Sequence, residues 1–219
     1  MTNLVAKTKI MLVDDHPMVR NGITMKIGSQ DDMVICGEAS TEDEAVELAK
    51  QLNPDLVLID ISLKKGNGID LVKRLRSLDA ETKMLIISTF PESLYAERAL
   101  RAGALGYLNK QESNEKLIEA IRAVLQGDLF VSSEITQRLV THALGKSPVS
   151  GDPLDALTDR ELEIFRLIGA GVSTSGIAEQ LFLSTHTVDT HRENIKKKLG
   201  AKSGAELNRR AIQYMLENG

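Results

Sequence analysis

The first 127 residues repeat one unit: a short apolar run closed by a polar residue, then a longer stretch with helical spacing. The runs are KIMLVDD (9–15), MVICGEA (33–39), PDLVLID (54–60), KMLIIST (83–89) and ALGYLN (104–109), each bounded by Asp, Gly, Pro, Ser or Asn. A strand with one face in water alternates apolar and polar residues, and most of these runs are too continuous for that. They suit a parallel sheet buried on both faces. Helices are predicted near 17–28, 42–52, 68–78, 92–102 and 114–126, with Thr41 and Glu44 at capping-box spacing before the second. Five strand-helix units in succession predict a doubly wound, five-stranded parallel α/β domain over residues 9–127.

The alternation then stops. VSSEITQRLVTHAL fits one amphipathic helix, and GKSPVSGDP gathers the Gly, Pro and Ser of a flexible linker, so 128–156 reads as a helix plus linker. Residues 157–219 hold only helical pieces, with Thr158/Glu161 and Ser203/Glu206 again at capping-box spacing and GAGVS and LFLS as turns. This predicts a second, small all-α domain. A chain of 219 residues has room for both.

Charge separates the halves. Of 27 Lys/Arg and 31 Asp/Glu, nine of each fall in 155–219, so residues 1–154 hold 18 and 22 and carry the whole net charge of −4. Within the second half, Arg192, Lys196, Lys197, Lys198 and Lys202 outnumber Asp189 and Glu193, a local basic patch beside His186 and His191. A single cysteine, Cys36, excludes an internal disulfide and a Cys-based zinc site, and its apolar neighbours mark it as a small core residue. No apolar run reaches the roughly 20 residues of a membrane span, and no segment has signal-peptide form. A soluble, cytoplasmic protein with no membrane partner is expected.

An aspartate closes the most apolar run: Asp60 follows Leu56, Val57, Leu58 and Ile59. A buried carboxylate is costly unless it is partnered or has a task. In open α/β sheets ligands bind beyond the carboxyl ends of the strands, where Asp14, Asp15, Asp60, Ser88, Thr89 and Lys110 all fall. Three carboxylates together call for a cation, and hard Mg²⁺ with oxygen ligands is the expected one. A lysine and a hydroxyl beside them can hold the oxygens of a phosphoryl group on Asp60.

This constellation resembles the receiver domain of two-component response regulators over residues 9–127. The resemblance implies that Asp60 is the phosphoacceptor and that Asp14 and Asp15, with Asp60 and the backbone carbonyl of Ser62, hold the metal. It also implies that Ser88 is the switch hydroxyl, Lys110 the phosphoryl contact and Tyr107 the switch aromatic. Gly68 matches the glycine after the acceptor loop. Two positions depart from the pattern: Lys64 and Gln111 stand where many receivers have proline, which bears on loop geometry and on the peptide bond after Lys110. A phosphatase of the haloacid dehalogenase type also places an aspartate after an apolar strand. Such enzymes carry a second acid two residues on, where this chain has Ser62, and VDDHP lacks the glycines of a phosphate loop.

In the second half, helices near 174–181 and 185–199 are separated by a tight turn, with Ser184 as N-cap of the second. On a helical wheel Val188, Ile195 and Leu199 face a core, while His186, Thr190, Glu193 and Lys197 lie opposite, flanked by Asp189 and Asn194. The segment from Leu157 to Gly200 resembles the LuxR-type helix-turn-helix of NarL/FixJ-family regulators. Matching positions include Leu157, Thr158, Arg160, Glu161, Gly171, Ile177, Ala178, Leu181, Ser184, Thr187, Val188, His191, Ile195, Lys198, Leu199 and Gly200. Lys196, Lys197, Lys198 and Lys202 are then expected on DNA phosphates, and His186, Asp189, Thr190 and Glu193 at base edges. For His191 the resemblance implies a phosphate contact, whereas the wheel equally allows a packed histidine.

Together the halves predict a DNA-binding transcriptional regulator and not an enzyme. A partner histidine kinase would phosphorylate it, and a phosphorylation-dependent homodimer would bind paired operator half-sites. The alternative is a transcription factor of the same build that works without phosphorylation.

Overall fold

The computed structural model describes residues 7–144 and 153–218. They form two compact units, divided between Val140 and Thr141. In the first, the elements alternate as β1 (Thr8–Val13), α1 (Pro17–Gly28), β2 (Met33–Ala39), α2 (Glu42–Leu52), β3 (Leu56–Ile59), α3 (Gly68–Leu78), β4 (Lys83–Ser88), α4 (Glu92–Ala102), β5 (Gly106–Asn109) and α5 (Asn114–Gln126). The strands make one parallel sheet in the order β2-β1-β3-β4-β5.

Burial accounts for the continuous apolar runs. Successive strand residues point to opposite faces. Ile10, Leu12, Leu56, Leu58, Leu85 and Ile87 join Ile27 of α1 and Leu117, Ile121 and Val124 of α5 in one core. The alternate residues Met11, Val13, Val57, Ile59, Met84 and Ile86 are equally buried. Only edge strand β2 breaks the pattern, with Val34 exposed.

Strand register levels the functional ends. Val13 pairs with Ile59 and Ile59 with Ile86, and the Asp60 amide donates to the Val13 carbonyl at 2.8 Å. Across the sheet Ser88 pairs with Asn109, and the Lys110 amide donates to the Ser88 carbonyl at 2.9 Å. Asp14, Asp60, Ser88 and Lys110 therefore emerge at one edge. β2 coincides with its predicted run, the other strands are shorter than theirs, and these polar residues fall at or just beyond the strand ends. Gly68, first residue of α3, is held against that edge: a Cβ there would stand 2.1 Å from the Asp60 carbonyl oxygen, so no side chain fits.

After α5 the chain returns to the sheet. Phe130 bridges to β5, its carbonyl accepting from the Tyr107 amide at 2.8 Å and its amide donating to the Leu105 carbonyl at 2.9 Å. The helix expected in this region is α6 (Ser133–Ala143), and its start is docked on α4. Arg138 donates to the Ser93 carbonyl at 2.8 Å, the Ser132 amide donates to Glu92 at 2.7 Å, and Ile135 is buried. Of the expected linker GKSPVSGDP, all but Pro153 lies outside the described residues.

The second unit holds a 3-10 turn (Pro153–Ala156), then α7 (Asp159–Gly169), α8 (Thr174–Gln180), α9 (Thr185–Leu199) and α10 (Gly204–Asn218). Leu157, Leu162, Phe165, Ile177, Leu181, Val188, Ile195 and Leu207 close its core. Caps set the helix starts. Thr158 and Glu161 form a full capping box, the Glu161 amide donating to Thr158 Oγ1 at 3.3 Å and the Thr158 amide to Glu161 Oε2 at 2.8 Å. At α2 only half the box forms: Thr41 caps the Glu44 amide, but the Glu44 carboxylate takes the Ser40 amide instead. Among the described residues no helix is long and apolar enough to cross a membrane.

Candidate functional site

The pocket at the carboxyl edge of the sheet is built around Lys110. Its ammonium nitrogen lies 2.5 Å from Asp60 Oδ2 and 2.6 Å from Asp14 Oδ2. Asp14 is fully buried and Asp60 is 2% exposed. Burial pushes the Asp60 carboxyl up to about 6, with the neighbouring Asp14 adding to the rise while Lys110 and the Ser62 amide oppose it. Burial also raises Asp15, against the pull of His16, Lys110 and Lys64. Lys64, in the place of a proline, thus sets an exposed positive charge within electrostatic reach of the pocket. Every peptide bond among the described residues is trans, including the one from Lys110 to Gln111.

Ser88 and Tyr107 approach the pocket from β4 and β5. Ser88 is fully buried and its Oγ accepts from the Phe90 amide at 3.3 Å. The Tyr107 ring is buried and its phenol donates to the Phe90 carbonyl at 2.8 Å. Phe90 therefore ties the hydroxyl to the aromatic, and Phe90 itself stacks on Tyr95 with ring centroids 5.1 Å apart. Ser62 lies on the loop between β3 and α3, bridged to Asn67.

The residues present fit a divalent cation. Asp14 Oδ2 and Asp15 Oδ1 are buried, the first 2.6 Å from the Lys110 ammonium and the second 2.7 Å from His16 Nδ1, and clustered carboxylate oxygens of this kind are what a divalent cation takes. One ligand atom from each of Asp14, Asp15, His16 and Asp60 lies within 4.8 Å of the others. His16 is the member that sequence reasoning missed; its only signal is its place next to the acidic pair in VDDHP. Phe90 was also missed, since nothing in TFPES marks it as a relay.

In the second unit, α8 and α9 are joined by a turn in which Phe182 adopts a positive φ of 53° and the Leu183 amide closes back on Ala178 at 2.9 Å. Ser184 caps α9, its Oγ accepting from the Thr187 amide at 3.0 Å. With Val188 and Ile195 buried, His186, Asp189, Thr190, Glu193 and Lys197 share the exposed side of α9. Glu193 pairs with Lys196 at 2.8 Å, and Thr190 Oγ1 donates back to the His186 carbonyl at 3.0 Å. Lys202 is exposed beyond the helix end.

Two candidates for DNA contact turn inward. Lys198 donates to Glu161 Oε2 at 2.6 Å, which fastens α9 to the capping box of α7. His191 is half-buried, its Nδ1 has no hydrogen-bond partner, and burial lowers its pKa although Glu161 pulls the other way.

Fold and site together define a receiver joined to a helix-turn-helix unit, and comparison with known proteins agrees. Residues 10–122 match the response regulator receiver domain and residues 155–211 match the bacterial regulatory proteins of the luxR family. The chain belongs to the two-component response regulators of the NarL/FixJ family. It is 36% identical over 215 residues to the oxygen regulatory protein NreC of Staphylococcus epidermidis, covering 95% of this chain and 97% of that one. Among solved structures it resembles the response regulator ChrA of a heme-sensing two-component system, with 30% identity, a TM-score of 0.52 and coverage of 97% of this chain and all of that one. RcsB of Salmonella enterica serovar Typhimurium, solved on promoter DNA, shares the fold at 22% identity and a TM-score of 0.60, covering 93% of this chain and 97% of that one. The protein is thus a response regulator with a LuxR-type DNA-binding domain.

Proposed function

We propose that Asp60 accepts a phosphoryl group from a partner histidine kinase and that this controls DNA binding by the helical unit. The observation that carries the reading is the meeting of Asp14, Asp15, Asp60, Ser88 and Lys110 at one sheet edge. Asp14, Asp15, Asp60 and the Ser62 carbonyl would hold Mg²⁺, which when bound neutralises the clustered carboxylates and the phosphoryl oxygens. The Asp60 carboxylate attacks phosphorus as the bond to the donor nitrogen breaks, and the released imidazole takes a proton from solvent. Lys110, already bonded to Asp60, moves onto a phosphoryl oxygen, and the Ser88 hydroxyl donates to another. That turn of Ser88 frees the Phe90 amide, and Phe90 also holds the Tyr107 phenol, so the loop and the aromatic move together.

In the helical unit, His186, Asp189, Thr190 and Glu193 would meet base edges and Lys196, Lys197 and Lys202 phosphates, while His191 and Lys198 would position α9. The active species is a homodimer on paired half-sites in the cytoplasm. Intact mass after incubation with Mg²⁺ and an acyl phosphate tests the first step. One added phosphoryl group on the native chain and none on Asp60→Ala is expected. No adduct on either would leave a DNA-binding regulator that works without phosphorylation.

A further inference from the structure

We propose that His16 is itself a ligand in the acidic pocket and biases it toward first-row transition ions, Mn²⁺ included, over Mg²⁺. The inference rests on the reading of the pocket as a divalent-cation site. The His16 side chain is 61% exposed, yet its ring turns inward: Nδ1 stands 2.7 Å from Asp15 Oδ1, 3.2 Å from Asp14 Oδ1 and 4.0 Å from Asp60 Oδ2. The ring is hydrogen-bonded to Asp14 Oδ1 and sits against Asp15 Oδ1, so its Nδ1 is directed into the carboxylate cluster. His16 occupies the N-cap position of α1, but its side chain makes no capping hydrogen bond.

The backbone holds the ring where it is. The residue before a proline is driven to extended conformation, and His16, ahead of Pro17, has φ −94° and ψ 106°. Its amide donates to Asp14 Oδ1 at 2.8 Å. Arg20 fixes the same corner by donating to the Asp14 carbonyl at 2.6 Å. The imidazole thus faces the carboxylates from a pinned position, and its nitrogen belongs to the set of four ligand atoms within 4.8 Å of one another.

The donor set decides the ion. Mg²⁺ takes oxygen ligands and keeps several waters, so an imidazole adds little to its affinity. First-row transition ions gain from a nitrogen donor. A pocket of three carboxylates and one imidazole therefore discriminates where a pocket of carboxylates alone does not.

The test is titration of the full chain with Mn²⁺ and with Mg²⁺, together with the electron spin-echo spectrum of the Mn²⁺ complex, for the native protein, His16→Ala and Asp15→Asn. His16→Ala should weaken Mn²⁺ by about tenfold and Mg²⁺ by less than about threefold, the scale on which single groups around a metal act. The nitrogen coupling in the native Mn²⁺ spectrum should vanish in His16→Ala, and Asp15→Asn should weaken both ions. If His16→Ala shifts both affinities equally, or nitrogen coupling is absent from the native complex or survives the substitution, the assignment of His16 is overturned while the cation pocket stands. If neither ion binds the native chain saturably, or Asp15→Asn changes neither affinity, the pocket reading fails and this inference falls with it.

Discussion

Asp60 sits at the end of a strand with no exposed residue, and its charge is costly to keep there. The sign of the pH dependence follows. Its folded-state pKa, about 6, lies above the ordinary carboxylate value of 3.8, so the folded chain holds this proton more tightly than the unfolded one. Asp60 therefore favours folding below about pH 4, and that contribution is lost as pH rises through about 6. In chelator, Asp60→Asn should raise the stability of the first unit at pH 7.5 by up to about 3 kcal/mol, with the gap closing as pH falls below about 5. Urea midpoints across pH 4–8 measure this, and parallel curves for the two proteins would refute it. The aspartate was legible in sequence because a carboxylate interrupts an apolar run. His16 was not, because a histidine before a proline carries no such contrast. What gives it meaning is the ring orientation, which only the fold supplies.

Glu161 acts on whole elements. It is 3% exposed, and Oε2 accepts both from the Thr158 amide and from Lys198 on α9. Burial works to raise its pKa, but the bonds from Lys198 and Thr158 outweigh it and hold the carboxyl below the ordinary value. Glu161→Ala should remove half the cap of α7 and strand Lys198, costing about 2 kcal/mol in the second unit. Glu193→Gln, which breaks the exposed and solvent-screened pair with Lys196, should cost far less. Chemical denaturation followed by helix circular dichroism separates the two, and equal losses would mean that the Glu161 link does not hold α9. The spacing of Thr158 and Glu161 revealed the cap, but not the second use of the carboxylate, since a helical wheel of α9 shows Lys198 only as a charge. Docking of α6 was hidden for the same reason. VSSEITQRLVTHAL announces an apolar stripe, whereas its seat on α4 depends on Arg138 finding the Ser93 carbonyl and Glu92 finding the Ser132 amide.

At the scale of the molecule, charge limits how phosphorylation can act. Residues 155–219 are balanced at nine Lys/Arg and nine Asp/Glu, so the front of the chain carries the entire net charge of −4. A phosphoryl group makes it more negative still. Electrostatics alone would then weaken binding to DNA, so a gain on phosphorylation has to come from freeing the helical unit or from pairing two of them. Salt dependence distinguishes these routes. The logarithm of the binding constant falls with that of salt concentration by about 0.9 per phosphate neutralised. Release of one unit raises affinity at unchanged slope, because the lysines of a single α9 still meet the same phosphates. Pairing places two copies of Lys196, Lys197 and Lys202 on one DNA, and the slope about doubles. We expect the doubled slope for the native chain with phosphodonor and the single slope for Asp60→Ala under the same conditions, both read by fluorescence anisotropy between 50 and 200 mM salt. A native slope that stays single while affinity rises would place the switch in release of the helical unit and exclude dimerisation as its source.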